Sequence, residues 1–488
     1  MMPSPEHPTK TRTRDIIGYA LGEGAASLTF NGISAYFMLY YTQALGLPFA
    51  QAALAIAVSS LWDAFVDPLV GNLSDHTRSR WGRRQPYLLV GGLLMAGCFY
   101  CLWAVPGFVP RHGLLFFYAV AVNFLYRSAF AIFYVPYVAL GFEVCTDYHQ
   151  RSQLQAARMV LGMATNLCVA LGWSLFFPDR PGGREATSVP ANFLHMGAIF
   201  SLIAVGLTAA VLLATRRHIT DTRATVAGPG KGLRAHFGEF RDVITDRYLR
   251  PIMLFTCVGM IASVFVGMLQ MYLYVYFLHL TALQKTMVHG GGMVLCALGA
   301  MAGPLLERKW DKKRAVCIGA AIMAGADLLA VFLSLSGLLQ GTTTWAVGGH
   351  VVPVSVIVFG GCDMVNWFGY GLLSILGISM IADAAEINEL ESGVRKDGGY
   401  AAIFSFTTKL VSSASVLVAG ACLKWVGFAS GSDRQTPSAI HGLVFLTFGL
   451  GSFFAALVIP IVLRSRISQG FMTKVKAALA EKRTKAAA

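Results

Sequence analysis

Charge is scarce in this sequence. Of its 488 residues only 13% are Asp, Glu, Lys or Arg, about half the share that covers the surface of a soluble domain. That excludes a water-facing globule, a charged disordered chain and a coiled coil. The nine cysteines, 98, 101, 145, 168, 257, 296, 317, 362 and 422, lie almost all inside apolar runs, where they act as small hydrophobes. No disulfide framework is implied. Cys98-Phe-Tyr-Cys101 has redox spacing but sits in an apolar helix, and we read it as incidental. The chain also lacks an H-E-x-x-H pair, a G-x-S-x-G elbow and a Walker A loop, and its histidines do not recur at ligand spacing. A metalloprotease, a serine hydrolase and an ATP-driven pump are therefore disfavoured. The expectation is a non-enzyme with no resident cofactor.

What the sequence has is apolar length: 55% hydrophobic residues and a mean hydropathy of +0.59. A transmembrane helix needs about 20 predominantly apolar residues. Runs of that kind fall near 16–41, 51–74, 87–107, 114–143, 158–178, 193–215, 251–278, 287–306, 315–337, 350–383, 399–428 and 441–463, twelve in all. The formal charge of +14 would suggest nucleic acid in a soluble protein. Here 30 of the 39 Lys and Arg residues fall in loops on the side that holds both termini. Five fall on the other side (Arg111, Arg180, Arg184, Lys285, Arg434) and four within spans. The positive-inside rule then puts both termini in the cytoplasm, and the partners expected are the lipid bilayer and a small solute, with no nucleic acid.

The longest inner loop divides the spans six and six. This predicts an N-terminal bundle over 1–215, a cytoplasmic loop over 216–250, a C-terminal bundle over 251–463 and a basic tail over 464–488. The halves echo each other. Gly71-Asn-Leu-Ser-Asp75 is followed by Arg78, Arg80, Arg83 and Arg84; Gly303-Pro-Leu-Leu-Glu307 is followed by Arg308, Lys309, Lys312, Lys313 and Arg314. Six plus six helices with this echo resemble the major facilitator superfamily, all-α membrane proteins built of two parallel repeats with a substrate site near the midplane.

Ionisable groups inside the membrane cost at least ~2.5 kcal/mol each on insertion scales, so each is a functional candidate. Asp63 and Asp67 stand at i and i+4, which puts both carboxylates on one helix face. Two like charges that close need a cation or a basic side chain. Bound Na⁺, a carried proton and an ion pair with another helix are the alternatives. Lys409 lies about 15 Å into its span, too deep to snorkel easily. Arg127 is deep enough in the fourth span to require a partner, and Arg158 begins the fifth. Glu23, Glu143, Asp327, Asp363, Asp383 and Glu386 are the other acids in or at the ends of spans.

Longer motifs narrow the resemblance. Trp62-Asp63-Ala-Phe-Val-Asp67-Pro68-Leu-Val-Gly71 with Thr77-Arg78-Ser-Arg80-Trp81-Gly82-Arg83-Arg84, then Val135-Pro136-Tyr137 through Arg158, then Met380-Ile-Ala-Asp383 through Phe404-Ser-Phe-Thr-Thr-Lys409 resemble the glycoside-pentoside-hexuronide:cation symporters in order, from about 14 to about 465. The resemblance implies a monomeric alternating-access symporter of the bacterial inner membrane, coupled to Na⁺ or H⁺ at Asp63 and Asp67, with Lys409 central in the cavity. It implies a cavity that also draws on Arg158, Tyr134, Tyr137, Trp367, Ser27 and Ser374. A cytoplasmic gate would comprise Asp75, Arg78, Arg80, Arg83, Arg84 and Asp383. Where sugar-gripping members carry charged or aromatic groups this chain reads Ala26, Ser27, Tyr134, Val138 and Ser374. A glycoside or uronide other than a galactoside is expected first and a lysophospholipid or other amphipathic solute second, with a membrane enzyme or receptor behind both.

Overall fold

The computed structural model describes residues 13–77, 79–107, 109, 113–144, 148–178, 186–216, 246–336, 344–347, 350–392, 397–429 and 435–487. Helix α1, Thr13–Leu39, widens into a π turn over Tyr40–Ala44. It is followed by α2 Phe49–His76, α3 Gln85–Trp103, α4 Leu114–Val144, α5 Tyr148–Phe176 and α6 Pro190–Thr215. After the long loop come α7 Leu249–Tyr276, α8 Ala282–Trp310 and α9 Lys312–Leu335. Strands β1 Thr344–Val347 and β2 His350–Pro353 pair antiparallel, Trp345 opposite Val352. Then follow α10 Val354–Ser392, α11 Asp397–Trp425, α12 Pro437–Arg464 with a π turn at Phe445–Gly449, and α13 Gln469–Ala487.

Eleven of the described helices, α2 to α12, are long and apolar enough to cross a bilayer. Helix α1 occupies the first expected span but is not among them. Its Glu23, Asn31 and frequent Gly, Ser and Thr lower its apolarity; of these, Glu23 and Thr29 are engaged by other helices. The tenth expected span, 350–383, also differs from what forms. Its first residues belong to β2, and α10 runs on to Ser392, 39 residues in length. At 1.5 Å per residue that is about 58 Å, close to twice the ~30 Å hydrocarbon layer. Hydropathy marks where lipid contact ends, whereas the helix continues as long as backbone hydrogen bonding and the buried Ala384, Ala385 and Ile387 support it.

The chain forms two compact units, Met1–Pro229 with Ser430–Asp433 and Gly230–Ala429 with Arg434–Ala488. In the first, α1 packs on α5 and α6, α2 on α4, and α3 on α4 and α6. Water is not there to satisfy polar atoms in the hydrocarbon layer, so buried hydroxyls have to find protein acceptors. Tyr19 donates to the Tyr137 carbonyl at 2.8 Å, Tyr36 to Val169 at 2.6 Å, Tyr40 to Trp103 at 2.7 Å and Tyr41 to Leu102 at 3.0 Å. Neighbouring residues of an α-helix point about 100° apart. At the wider π turn, adjacent Tyr40 and Tyr41 both reach the end of α3.

In the second unit α10 is central, flanked by α8 and α9, while α12 packs on α7 and α9. Glycines set these approaches, as small residues do where membrane helices meet closely. A Cβ on Gly371 would collide with the Cys296 carbonyl of α8, and one on Gly299 with the Phe368 carbonyl of α10. Helix α13 lies along the same unit. Met472, Val475 and Leu479, at helical spacing, are buried with Ile467 in the core that α7, α9 and α10 share. The Gln469 amide donates to Asp311 at 3.2 Å, and Lys482 donates to the Leu390 carbonyl at 2.8 Å. The Tyr400 hydroxyl, just ahead of the apolar stretch of α11, donates to Asp246; burial, with this carboxylate, pushes it above the usual phenol range.

Gly371→Val is expected to abolish folding, seen as loss of the monodisperse peak in size-exclusion chromatography. Gly361→Val, where nothing lies within 4 Å of the new Cβ, should leave that peak intact.

Candidate functional site

Two ion pairs sit inside the first unit. In α2, Asp63 is 7% exposed, and its Oδ2 accepts from Arg127 Nη1 of α4 at 2.9 Å. Arg127 Nη2 also donates to Ser60 Oγ, one turn before Asp63, at 3.1 Å, and the guanidinium lies 5.1 Å from the Phe30 ring centre. Trp62 fixes the same α2–α4 seam by donating to Ser128 Oγ at 2.9 Å. Asp67 is half-buried one turn further on, directly before Pro68. Proline has no N–H, so Pro68 gives nothing to the Ala64 carbonyl four residues back. That carbonyl therefore lacks its usual intrahelical donor.

The second pair is Glu23 of α1 with Arg158 of α5. Arg158 Nη2 and Nε meet Glu23 Oε2 at 2.6 and 2.9 Å, and Nη1 donates to Gln155 Oε1 at 3.1 Å. Arg158 Nη2 is 3.2 Å from the Tyr134 hydroxyl, which donates to Glu23 Oε1 at 3.5 Å; Ser27 donates to the same oxygen at 3.4 Å. The guanidinium also sits 5.2 Å from the Tyr137 ring centre, and that ring stacks on Tyr19 at 4.6 Å. Four residues singled out from the sequence, Ser27, Tyr134, Tyr137 and Arg158, thus gather around Glu23. Sequence reasoning had placed Glu23 only among the span acids. The available signal was its i, i+4 spacing to Ser27 together with an Arg158 needing an acid.

Lys409, Trp367 and Ser374 belong to the second unit, and all three are half-buried. Trp367 Nε1 donates to Gln270 Oε1 at 3.2 Å, and Gln270 Nε2 lies 3.4 Å from His289 Nδ1. Ser374 donates to the Gly371 carbonyl of its own helix at 3.0 Å. Of the gate residues, Arg84 is buried and donates to Ser74 Oγ at 2.7 Å, Arg83 is half-buried and Arg80 is exposed. Arg78 and the Asp75 side chain lie outside the described residues. Asp383 of α10, 4% exposed, meets Lys312 at 2.6 Å, and Lys312 lies 3.5 Å from Glu307. The sequence echo of the two halves therefore ends, in the second unit, in a compact acid-base-acid contact joining α8, α9 and α10. Asp383, Glu307 and Lys312 line a pocket of about 220 Å³ with Ser468, Gln469 and Lys476 beside α13.

Two helical units with ion pairs and polar clusters set inside long apolar helices are the features of the major facilitator fold. A bacterial homologue of the lysosomal transporter Spinster, captured inward-facing, aligns over 95% of this chain and 100% of its own with a TM-score of 0.68 and 10% identity. The family model described as MFS/sugar transport protein matches residues 18–469, and the chain belongs to that family. Its relatives include the glucuronide carrier protein homolog of Escherichia coli, 25% identical over 88% of this chain and 87% of that protein. They also include the isoprimeverose transporter of Lactiplantibacillus pentosus, 24% identical over 87% of this chain and 82% of that protein. These fit the glycoside-pentoside-hexuronide:cation symporters. The first two curated relatives, both symporters by name, are matched over only 35% and 53% of their own length.

Breaking a buried ion pair strands the remaining charge, at about 3–5 kcal/mol. Arg158→Leu should lower the thermal midpoint in detergent accordingly, and Glu23→Gln added to it should restore most of the loss. Equal midpoints for the single and double variants would mean that the pair contributes nothing to the fold.

Proposed function

We propose that the chain is a cation-coupled symporter that carries a small glycoside or uronide across the bacterial inner membrane by alternating access. The observation that carries this reading is the polar cluster of Glu23, Ser27, Tyr134 and Arg158 within an apolar bundle. It presents carboxylate, hydroxyl and guanidinium groups beside the aromatic face of Tyr137. That is the chemistry that binds a sugar, with donors and acceptors for hydroxyls and an arginine fork for a carboxylate-bearing one. The names of the relatives support the substrate class.

Asp63 and Asp67 take the coupling cation, Na⁺ or a proton. Arg127 stands in its place on Asp63 in this conformation. A cation arriving at Asp63, Asp67 and the freed Ala64 carbonyl releases the guanidinium toward Ser60, which links cation binding to the α2–α4 seam. In the second unit Lys409, Trp367 and Ser374 are the substrate-binding candidates. Both termini face the cytoplasm; Arg84 acts as a gate residue of the first unit, and Asp383 with Lys312 as gate residues of the second.

In proteoliposomes, uptake of labelled glycosides and uronides should rise with an inward Na⁺ or proton gradient. Asp63→Asn with Asp67→Asn should abolish that rise and preserve exchange of solute for solute. Uptake indifferent to both gradients, or gradient-driven uptake that survives the double substitution, would refute the coupling assignment. If lysophospholipids alone were taken up, the sugar assignment would fail and the coupling assignment would stand.

A further inference from the structure

The second unit buries two carboxyl groups that neither the coupling pair nor the gate uses. Asp327 of α9 is 1% exposed and Asp363 of α10 is 0% exposed, and neither makes an ion pair among the described residues. Each has one oxygen occupied. Asn366 Nδ2 donates to Asp327 Oδ1 at 2.7 Å, and the Tyr274 hydroxyl of α7 donates to Asp363 Oδ2 at 2.8 Å. The other oxygens, Asp327 Oδ2 and Asp363 Oδ1, have no hydrogen-bond partner. Independently, Asn366 is 1% exposed and joined to Asp327 through its amide nitrogen, while its own Oδ1 is likewise without a partner. Among the described residues these three acceptor oxygens have no hydrogen-bond partner, and Trp367, the donor that also acts on Asp363, gives its N–H to Gln270. Buried acceptors without donors, and buried charges without counter-charges, are both costly. A positive species from solution is what the patch lacks.

The space decides which species. A Cβ built on Gly451 of α12 would lie 2.7 Å from Asp327 Oδ2 and 3.1 Å from Val266 Cγ2. That oxygen therefore lies close against the backbone of α12 at Gly451, where even a methyl group would not fit. A metal cation gathers a shell of oxygen ligands, whereas a proton needs no room. We propose that Asp327, held by Asn366 of α10, and Asp363, one turn before Asn366 on the same helix, form a proton-binding site of the C-terminal bundle, separate from Asp63 and Asp67. Loading forms an O–H bond on a carboxylate with a proton taken from water, and the group loses its negative charge. The new O–H supplies a donor where three acceptors had none. The other titratable groups facing the patch are Tyr274 from α7, His289 from α8 by way of Gln270 and Trp367, and Cys362 beside Asp363 on α10. At these exposures neither carboxyl meets water in this conformation, so a bound proton stays until α9 and α10 part.

The test is infrared spectroscopy of the purified full-length protein at neutral pH, which reads no transport and is independent of the solute carried. The wild type should show the carbonyl stretch of protonated carboxyl groups, shifting in D₂O. Asp327→Asn and Asp363→Asn should each remove part of the band and together remove it, because the amide keeps the shape of the neutral acid and spares the fold. Asp63→Asn with Asp67→Asn should leave this contribution in place. A thermal melt checks folding, and each single variant serves where the double does not fold. Absence of the band in wild type, its survival in the Asp327 and Asp363 variants, or its loss on adding Na⁺ would overturn the proposal.

Discussion

Polar atoms at membrane depth have little but the protein itself to bond to. That constraint organises both units. It is why the hydroxyls of Tyr19, Tyr36, Tyr40 and Tyr41 end on backbone carbonyls of other helices, and why Arg127 lies against Asp63 and Arg158 against Glu23. Each such bond also fixes a helix relative to its neighbour. In a solvent without hydrophobic drive between helices, those bonds and the glycine contacts are what specify the packing.

The same constraint makes the charges useful for transport. A buried ion pair has little stability to spare, because desolvation offsets most of the attraction. It therefore yields readily to a competing ion or ligand that brings its own charge. Asp63 with Arg127, Glu23 with Arg158 and Asp383 with Lys312 are buried contacts of this kind.

Much of the fold was legible because hydropathy reports the lipid directly. Runs of apolar residues located α2 to α9, α11 and α12. Helix α1 forms where the first span was expected, with Glu23 and Asn31 lowering its apolarity, and α10 runs on past the expected end at 383 to Ser392. Charge drew attention to Asp63 and Arg158, and each proves to be half of a buried ion pair. The pairing itself was not legible, since which arginine meets which acid depends on helix rotation, a property that spans of uniform apolarity do not encode. The network of Gln270, His289, Trp367, Tyr274 and Asn366 left still less trace, because uncharged residues in an apolar run look like packing.

Helix α13 has a bearing on how the protein is made. It emerges from the ribosome after α12, yet Met472, Val475 and Leu479 belong to the core that α7, α9 and α10 share. Until it docks, the end of α10 beyond the lipid shows an apolar strip to water, and the carbonyl of Leu390 lacks its lysine. Domains fold in order of synthesis, so the first unit can reach its final packing while the second is still being inserted. The second is complete only once this last helix has been made and has docked.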